Sequence, residues 1–301
     1  MAPALPRVLV SGSSGLVGSA LVPALTGDGY EVTRLIRSGS SGQGRLAWDP
    51  TSPLAPNTLT GFDALIHLAG ESIVGRWTED KKRRILDSRV VPTKHLAEAL
   101  AKTSPPPRVF ICASAIGYYG DRGNEILREE SSPGARFSSQ LCVQWETACQ
   151  AAVAAGIRTV NLRLGIVLSA AGGALKKMLP PFRLGVGGNT GNGRQWMSWV
   201  DLQDVTAAIL HILKTDALHG AVNMTAPNPV TNAEFTKTLA AVLSRPAVLP
   251  MPAFAARLLF GQMADELLLA SQRVEPAKLL ASSYVFQQPE LRRSLQMILQ
   301  K

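Results

Sequence analysis

Cysteine is scarce in this sequence, with three residues among 301. Cys112, Cys142 and Cys149 cannot all pair with one another, and their spacing is not that of metal ligands. The sequence therefore predicts neither a disulfide framework nor a metal site, and it favours a reducing compartment. We expect the three thiols to be small core residues, because Cys142 and Cys149 lie seven apart on one predicted helix face.

Long hydrophobic runs are also missing from the sequence. No uninterrupted apolar stretch approaches the roughly twenty residues that a membrane-spanning helix requires, since Lys176, Arg183 and Arg257 interrupt the best candidates. The first strand-like run begins about six residues from the start, which leaves no room for a secretory signal. The sequence therefore predicts a cytoplasmic protein with no membrane association.

Aromatic residues make up only 6% of the chain, and no helix-turn-helix or zinc-finger pattern accompanies its net charge of +9. The basic residues are scattered apart from one cluster, KKRR at 81–84, which we expect to be a solvated helix face. The sequence therefore does not favour a nucleic-acid partner. A bound cofactor with several negative charges would account for part of the positive excess.

The chain does contain enough apolar residues for a large core, because 46% of its residues are hydrophobic. Strand-like and helix-like periodicity alternate along it. This order predicts an α/β fold, a Rossmann-type doubly wound parallel sheet with helices on both faces. The predicted strands are 7–11, 31–36, 64–68, 108–114, 158–168 and 221–224. The predicted helices are 16–26, 79–101, 138–155, 176–184, 207–213, 232–243, 253–260 and 289–299.

These elements divide the chain into two predicted domains. Residues 1–230 form the Rossmann-type domain, with part of a substrate lobe inserted around 172–200, and residues 231–301 form a small helical C-terminal domain. Within the insertion, the loop 185–195 is long and glycine-rich enough to close over a ligand. Gln195 is a candidate polar contact there, and the tryptophans that follow either stack on a planar ligand or pack in the core.

A glycine-rich turn follows the first predicted strand and opens the first helix. Gly12, Gly15 and Gly18 let the backbone turn sharply, approach a pyrophosphate closely and pack the helix on its strand. The phosphates would meet unpaired amides at the positive end of the helix. The strand before and the helix after favour dinucleotide binding over an ordinary glycine turn. The predicted contacts are Gly12, Ser13, Gly15, Leu16, Val17 and Gly18.

The end of the second predicted strand lacks the carboxylate that usually binds the adenosine ribose of NAD. Arg37 and Ser38 stand there instead, and a guanidinium and a hydroxyl suit a ribose phosphate. Charge-assisted hydrogen bonds contribute on the order of 1.5–3 kcal/mol each, enough for a roughly tenfold or greater preference. The sequence therefore predicts NADP(H) as the cofactor. The alternative is an exposed arginine with no ligand.

Several further segments resemble the short-chain dehydrogenase/reductase superfamily, in its atypical extended branch. They resemble in particular the group described as epimerase family proteins, with a helical C-terminal domain. The resemblance implies an NADP(H)-dependent oxidoreductase whose small-molecule substrate the sequence does not name. The segments are WDP at 48–50, HLAGE at 67–71, SR at 88–89, SAIGYYG at 114–120, RLGIVL at 163–168 and TAPNPVTN at 225–232.

The resemblance also implies cofactor contacts beyond the glycine turn. Leu68, Ala69 and Gly70 should line the adenosine and diphosphate. Arg89 resembles the group's cofactor-contacting arginine, with a solvent-facing side chain as its alternative. Arg163, with the turn after it, should approach the ribose and nicotinamide, and a buried structural salt bridge is the alternative for this residue.

All the usual catalytic positions of the extended branch are altered. That branch uses a serine or threonine, a tyrosine that transfers a proton, and a lysine that lowers the pKa of the tyrosine. Ala115, Ser138 and Cys142 stand at these three positions. The usual acid and its cationic neighbour are therefore both missing.

Two hypotheses about the activity remain open. In the first, Tyr118 or Tyr119 donates the proton and Ser114 orients the substrate, although a tyrosine with no lysine beside it is a weak acid at neutral pH. In the second, the protein is a non-catalytic NADP(H) sensor or interaction protein. The sequence does not indicate its oligomeric state.

Overall fold

A computed structural model of the chain describes residues 6–37, 39–55 and 57–300. Its strands are β1 (Arg7–Ser11), β2 (Glu31–Ile36), β3 (Arg45–Ala47), β4 (Ala64–His67), β5 (Val109–Ala115), β6 (Ile126–Leu127), β7 (Arg158–Leu164), β8 (Ile166–Leu168), β9 (Trp196–Met197), β10 (Trp199–Asp201), β11 (Gly220–Met224), β12 (Val230–Thr231) and β13 (Arg273–Val274).

The helices alternate with these strands through the first two thirds of the chain. They are α1 (Leu16–Gly27), α2 (Glu79–Ala101), α3 (Phe137–Thr147), α4 (Gln150–Ala154), α5 (Gly173–Arg183), α6 (Leu202–Lys214), α7 (Asn232–Leu243), α8 (Ala253–Phe260), α9 (Ala277–Ala281) and α10 (Leu291–Leu299). A 3₁₀-helix spans Ile116–Tyr119 and a π-helical turn spans Ala264–Leu268.

Seven strands form one parallel sheet in the order β11-β7-β5-β4-β1-β2-β3. The chain adds strands on one side of β1 first and then on the other, so the strand order reverses between β1 and β4. Ligands bind outside the carboxyl ends of the strands at such a reversal. The predicted α/β, Rossmann-type fold is confirmed.

The sheet is buried on both faces, which explains why its strands are almost continuously apolar. Val8 and Val10 of β1 pack with α1 and α6, whereas Leu9 between them packs with α2 and α4 on the opposite face. All three side chains are fully buried. The two apolar layers cover both faces of the sheet, and the loops that carry the site start at the carboxyl ends of these buried strands.

The predicted strand 158–168 is two strands, because the chain leaves the main sheet at Gly165. Ile166 donates its amide to the Ser198 carbonyl at 2.9 Å, and β8 then pairs with β10 outside the main sheet. A Cβ on Gly165 would lie 2.6 Å from that same oxygen, so only glycine fits the crossing. The predicted helix 138–155 is likewise divided, into α3 and α4, and nothing in the structure explains that break.

A separate core lies beside the sheet, where α5, α7 and α10 surround Trp199. Trp199 is fully buried, so it belongs to the core and not to a ligand surface. The insertion and the C-terminal helices share this core. Helix α5 precedes residue 230 and α7 follows it, yet both contribute to this core. The domain boundary at residue 230 therefore stays a prediction.

The three cysteines are buried free thiols, as the sequence predicts. Within the ranges that the structure covers, no helix is both long and apolar enough to cross a membrane. The same ranges contain no group of three or more His, Cys, Asp or Glu side chains arranged to hold a metal ion.

Candidate cofactor and substrate site

The glycine turn joins β1 to α1 at the carboxyl edge of the sheet. Gly12 has a φ of +70°, and a Cβ at this position would lie 2.6 Å from the carbonyl carbon of Leu68. A Cβ on Gly18 would overlap the Gly12 carbonyl oxygen, to which Gly15 donates its amide at 3.0 Å. The turn is thus packed so closely that no side chain fits at Gly12 or Gly18.

The first turn of α1 has no side-chain cap. Gly15 is its N-cap residue and offers no side-chain acceptor. Ser13 is buried, and Leu16 and Val17 are half-buried around these amides. An uncapped helix start presents N–H groups and a positive dipole end, which together bind phosphate. The residues predicted to hold a dinucleotide diphosphate are therefore brought together in a suitable geometry.

The segment after β4 runs beside the glycine turn. Leu68 donates its amide to the Ser11 carbonyl at 3.2 Å, which continues the pairing of β4 with β1. Gly70 lies against Arg89, since a Cβ on Gly70 would be 3.2 Å from the guanidinium carbon. Leu68, Ala69 and Gly70 therefore line the edge of the predicted cofactor site.

Helix α2 holds Glu71, the residue after Gly70, at several points. The Glu71 amide donates to the Ser88 hydroxyl at 3.0 Å, and Arg89 donates to the Glu71 carbonyl at 2.9 Å. Lys81 binds the Glu71 carboxylate at 2.6 Å, and this hydrogen bond lowers the pKa of Glu71. The basic cluster 81–84 thus is not simply a solvated helix face, because Lys81 anchors the loop that borders the site.

Arg89 is buried, so its solvent-facing alternative is wrong. Its guanidinium also donates to the Ile85 carbonyl at 3.0 Å and lies over the Trp145 ring at 5.1 Å. Burial lowers the pKa of this guanidinium. Arg89 shapes the Gly70–Glu71 backbone, and its direct contact with a cofactor stays a prediction.

The edge strand β3 and the neighbouring end of β2 present three exposed arginines. Arg37 comes directly after β2, while Arg34 and Arg45 are partners on β2 and β3. None of the three forms an ion pair with a residue that the structure describes. Ser38 lies outside the described residues. Exposed guanidinium groups at this position suit the ribose phosphate that distinguishes NADP from NAD.

A buried polar pair that sequence reasoning did not single out lies below the turn. Ser11 Oγ and His67 Nδ1 are 2.5 Å apart, and the Trp48 ring meets the imidazole edge to face at 6.2 Å. Burial, and the nearby Arg89 charge, lower the pKa of His67 to about 3. His67 is therefore neutral near pH 7. Ser11 and His67 lie opposite each other in the register of β1 with β4, and only that register would have indicated the pair.

Arg163 on β7 forms a two-pronged ion pair with Glu146 on α3, with both N–O distances at 2.9 Å. Its remaining nitrogen donates to the Tyr119 hydroxyl and to the Glu129 carbonyl, each at 3.0 Å. Burial alone would lower the pKa of Arg163, but the Glu146 contacts raise it. This is the buried salt bridge that the sequence left as the alternative for Arg163, and its cofactor contact stays a prediction.

The predicted catalytic residues surround this ion pair. Ser114 donates to the Glu146 carboxylate at 2.7 Å, and Tyr119 donates to the Asn223 side chain at 2.6 Å. Tyr119 is fully buried, which raises its pKa to about 12. Both hydroxyl groups are therefore engaged inside the protein, and neither arrangement favours contact with a substrate.

Tyr118 is placed differently from its neighbour. It is half-buried, and its ring stacks on the Arg163 guanidinium at 3.4 Å. Its hydroxyl makes no hydrogen bond to any residue in the described ranges. Among the three predicted catalytic side chains, only the Tyr118 hydroxyl lacks a hydrogen-bond partner within the described residues.

The altered catalytic positions lie close together. Ser138 packs against Gly117, and the buried Cys142 lies near the Ser114 hydroxyl. Burial raises the pKa of Cys142 to about 12, so it is a neutral thiol near pH 7. It cannot replace the positive charge of the lysine at this position in the extended branch.

The C-terminal helical region reaches this cluster through the π-helical turn. Glu266 is buried and accepts the Ser138 amide at 2.7 Å, near the start of α3. Gln262 donates to the other Glu266 oxygen at 2.7 Å and accepts from Lys82 at 3.2 Å. Sequence reasoning missed Glu266 because nothing local indicates a partner 128 residues away.

The predicted ligand loop, residues 185–195, is also hydrogen-bonded to the C-terminal region. Gln195 is buried, and its amide nitrogen donates to the carbonyls of Thr190 and Leu268. Trp196 donates to Asn124 and lies beneath the Arg273 guanidinium. Gln272 donates to the Ile116 carbonyl, directly after β5. These contacts place the 190–196 loop and the C-terminal region over the carboxyl edge of the sheet.

Comparison with known proteins identifies the family. Residues 8–224 match the NAD dependent epimerase/dehydratase family, and residues 251–298 match a domain of unknown function, DUF1731. The chain belongs to the NAD dependent epimerase/dehydratase family, within the short-chain dehydrogenase/reductase superfamily that the sequence resembles.

Relatives match along nearly the whole chain. The epimerase family protein MT2273 of Mycobacterium tuberculosis is 42% identical over 281 residues, with 93% of each chain covered. Human epimerase family protein SDR39U1 is 38% identical over 297 residues, with 97% of this chain and 99% of the relative covered. The resemblance to epimerase family proteins is confirmed.

Two solved structures share the fold at comparable identity. The crystal structure of human SDR39U1 isoform 2 with NADPH has a TM-score of 0.89 at 36% identity, covering 98% of this chain and 99% of that one. A nucleoside-diphosphate sugar epimerase from Corynebacterium glutamicum has a TM-score of 0.82 at 38% identity, covering 98% of this chain and 58% of that one.

Proposed function

We propose that the protein binds NADP(H) along the glycine turn and acts in the cytoplasm as an oxidoreductase on a small molecule. The observation that carries this proposal is the packing of Gly12 and Gly18 beside the uncapped start of α1. The NADPH in the human SDR39U1 crystal structure supports the same cofactor. Three buried free thiols agree with a reducing compartment.

Different residues of the site would contact different parts of the cofactor. The turn from Gly12 to Gly18 would hold the diphosphate, and Leu68 to Gly70 would line the adenosine. Arg37, with Arg34 and Arg45 nearby, would bind the ribose phosphate. Bound NADP(H) would supply or accept a hydride, which is chemistry that side chains cannot provide.

A titration of wild type with NADPH and NADH, followed by tryptophan fluorescence, tests this proposal. We expect NADPH to bind more tightly, and Arg37→Ala to weaken NADPH binding by roughly tenfold or more while NADH binding changes little. Arg292→Ala removes an exposed arginine on α10 and serves as the control. Failure of wild type to bind either nucleotide would refute the proposed function.

Tyr118 is our proposed proton donor at the reacting end of the site. Its half-buried phenol stacks on Arg163, whereas Ser114 and Tyr119 would act as positioning residues through Glu146 and Arg163. NADPH oxidation with a panel of small aldehydes and ketones is the assay. Tyr118→Phe should lower the rate at least tenfold and leave NADPH affinity unchanged. An unchanged rate would remove Tyr118 from the mechanism.

A non-catalytic NADP(H) sensor is the second candidate. The observation that favours it is the loss of the usual acid and its cation, with Ser138 and the neutral thiol of Cys142 in their places. A sensor binds NADPH and NADP⁺ tightly and consumes neither. Tight binding without NADPH oxidation, in the presence of the carbonyl panel and of a filtered metabolite extract, would favour the sensor.

A further inference from the structure

The Ser11–His67 pair interrupts an apolar row that crosses the sheet. Ser11 and His67 are the last residues of β1 and β4, and they lie directly opposite each other. Their neighbours in the same row, Leu35 on β2 and Cys112 on β5, belong to the buried apolar layer against α2 and α4. Because side chains in register share one face of a sheet, the hydroxyl and the imidazole point into this apolar layer.

A polar pair at this position reduces the stability that the layer could provide. Both side chains are fully buried, and no residue that the structure describes forms a hydrogen bond with the imidazole Nε2 of His67. A buried polar atom without a partner is unfavourable, whereas two apolar side chains of similar shape would fill the same space without that cost. Stability alone therefore does not account for a serine and a histidine here.

The pair lies next to the point where the two loops of the cofactor site come closest. Gly12 follows Ser11 along the chain, and Leu68 follows His67. A Cβ on Gly12 would be 2.6 Å from the Leu68 carbonyl carbon, and the Leu68 amide donates to the Ser11 carbonyl at 3.2 Å. The side-chain contact, with Oγ and Nδ1 2.5 Å apart, therefore joins the two strand ends from which these loops start.

Trp48 restrains the imidazole from a third strand. Its ring meets the His67 ring edge to face at 6.2 Å, and its amide donates to the Ile36 carbonyl at 2.9 Å, at the end of β2. An imidazole that is held by both a short hydrogen bond and an aromatic contact has little freedom to rotate. His67 is therefore kept in the orientation that presents Nδ1 to Ser11.

We propose that Ser11 and His67 are positioning residues that set the distance between the glycine turn and the segment 68–70, and thereby the affinity for the diphosphate of NADP(H). The inference rests on the cofactor site proposed above. Amides that bind a phosphate give the highest affinity when they are in place before the ligand arrives, because ordering them on binding costs free energy. Since both side chains are fully buried, they act through the backbone of Gly12 and Leu68.

Apolar replacements in the full chain test this proposal, with NADPH as the probe and isothermal titration calorimetry as the measurement. We expect Ser11→Ala and His67→Leu each to raise the Kd for NADPH by about tenfold or more. The double variant, Ser11→Ala with His67→Leu, should regain thermal stability because it leaves no polar group of the pair without a partner. Its Kd for NADPH should stay raised. A purely structural role predicts instead that affinity returns together with stability.

Two further variants complete the comparison. His67→Asn keeps a side chain that can form a hydrogen bond with Ser11, so it should bind NADPH more tightly than His67→Leu does. Thr103→Ala is the matched control, since it removes a buried hydroxyl that donates to the Ala99 carbonyl at the far end of α2. Thr103→Ala should leave the Kd for NADPH unchanged.

Circular dichroism and thermal unfolding establish that each variant is folded. If one single variant does not fold, the double variant carries the test. A Kd for NADPH in Ser11→Ala and His67→Leu equal to that of wild type would overturn the positioning role, and so would a double variant that regains both stability and affinity. Absence of NADPH binding in wild type would overturn the cofactor site itself, and this inference with it.

Discussion

Glu266 accepts a hydrogen bond from the Ser138 amide at 2.7 Å, across 128 residues of sequence. Ser138 stands where the extended branch has its catalytic tyrosine, and Glu266 belongs to the C-terminal region. A carboxylate near a helix N-terminus interacts favourably with the free amides and the helix dipole. The C-terminal region is therefore attached directly to α3, the helix that carries two of the three altered catalytic positions, Ser138 and Cys142.

Replacing Glu266 should destabilise the protein, because the Ser138 amide would be left buried and unpaired. We expect Glu266→Ala to lower the free energy of unfolding by about 1–3 kcal/mol, and Glu266→Gln to cost less since its carbonyl still accepts. Urea denaturation measures both. Glu98→Ala, which removes one member of a 3.9 Å surface ion pair, should cost about 1 kcal/mol or less. Equal losses for Glu266→Ala and Glu98→Ala would show that the Ser138 contact is unimportant.

The ion pair between Arg163 and Glu146 should be one of the strongest stabilising features near the site. Arg163→Met leaves Glu146 with little solvent and no cation, and we expect a loss of about 3–5 kcal/mol in the free energy of unfolding. The double variant Arg163→Met with Glu146→Gln should recover part of that loss. A double-mutant cycle in urea measures the coupling. Strictly additive losses would contradict a direct role for the pair.

Gly18→Ala should abolish tight NADPH binding, because the added methyl group overlaps the Gly12 carbonyl and must open the turn. Gly27 is the matched control on the same helix, since a Cβ there meets no atom within 4 Å. Gly27→Ala should bind NADPH like wild type, with stability equal or higher by about 0.5–1 kcal/mol. Fluorescence titration and thermal unfolding distinguish the two variants. Normal NADPH affinity in Gly18→Ala would argue against the turn as the binding site.

Acid should destabilise the protein through His67, whose pKa in the folded state is lowered to about 3. The unfolded chain, with a pKa of about 6.5, takes up the proton first as the pH falls. Stability is therefore lost between about pH 6.5 and pH 3, by at most about 1.4 kcal/mol per pH unit. His67→Asn should flatten this slope in urea denaturation series at several pH values. An unchanged slope in His67→Asn would assign the effect to other groups.

Local sequence was sufficient for much of the fold and for the first half of the site. The strands at 7–11 and 31–36, the helices at 232–243 and 253–260, and the close packing at Gly12 and Gly18 all follow from short patterns. The strand break at Gly165 is a feature that short sequence patterns do not predict. Its strand divides because the Ser198 carbonyl, more than thirty residues away, takes the next amide.

The sequence by itself determined the alternation of elements, the glycine turn and the arginine at the end of β2, because periodicity and glycine conformation act within a few residues. Only the tertiary structure decided which polar groups are buried together. Arg163 meets Glu146, Tyr119 is enclosed and Glu266 reaches Ser138 through contacts between distant elements. Burial and pairing set the pKa and the availability of each group, and both depend on neighbours that no local pattern specifies.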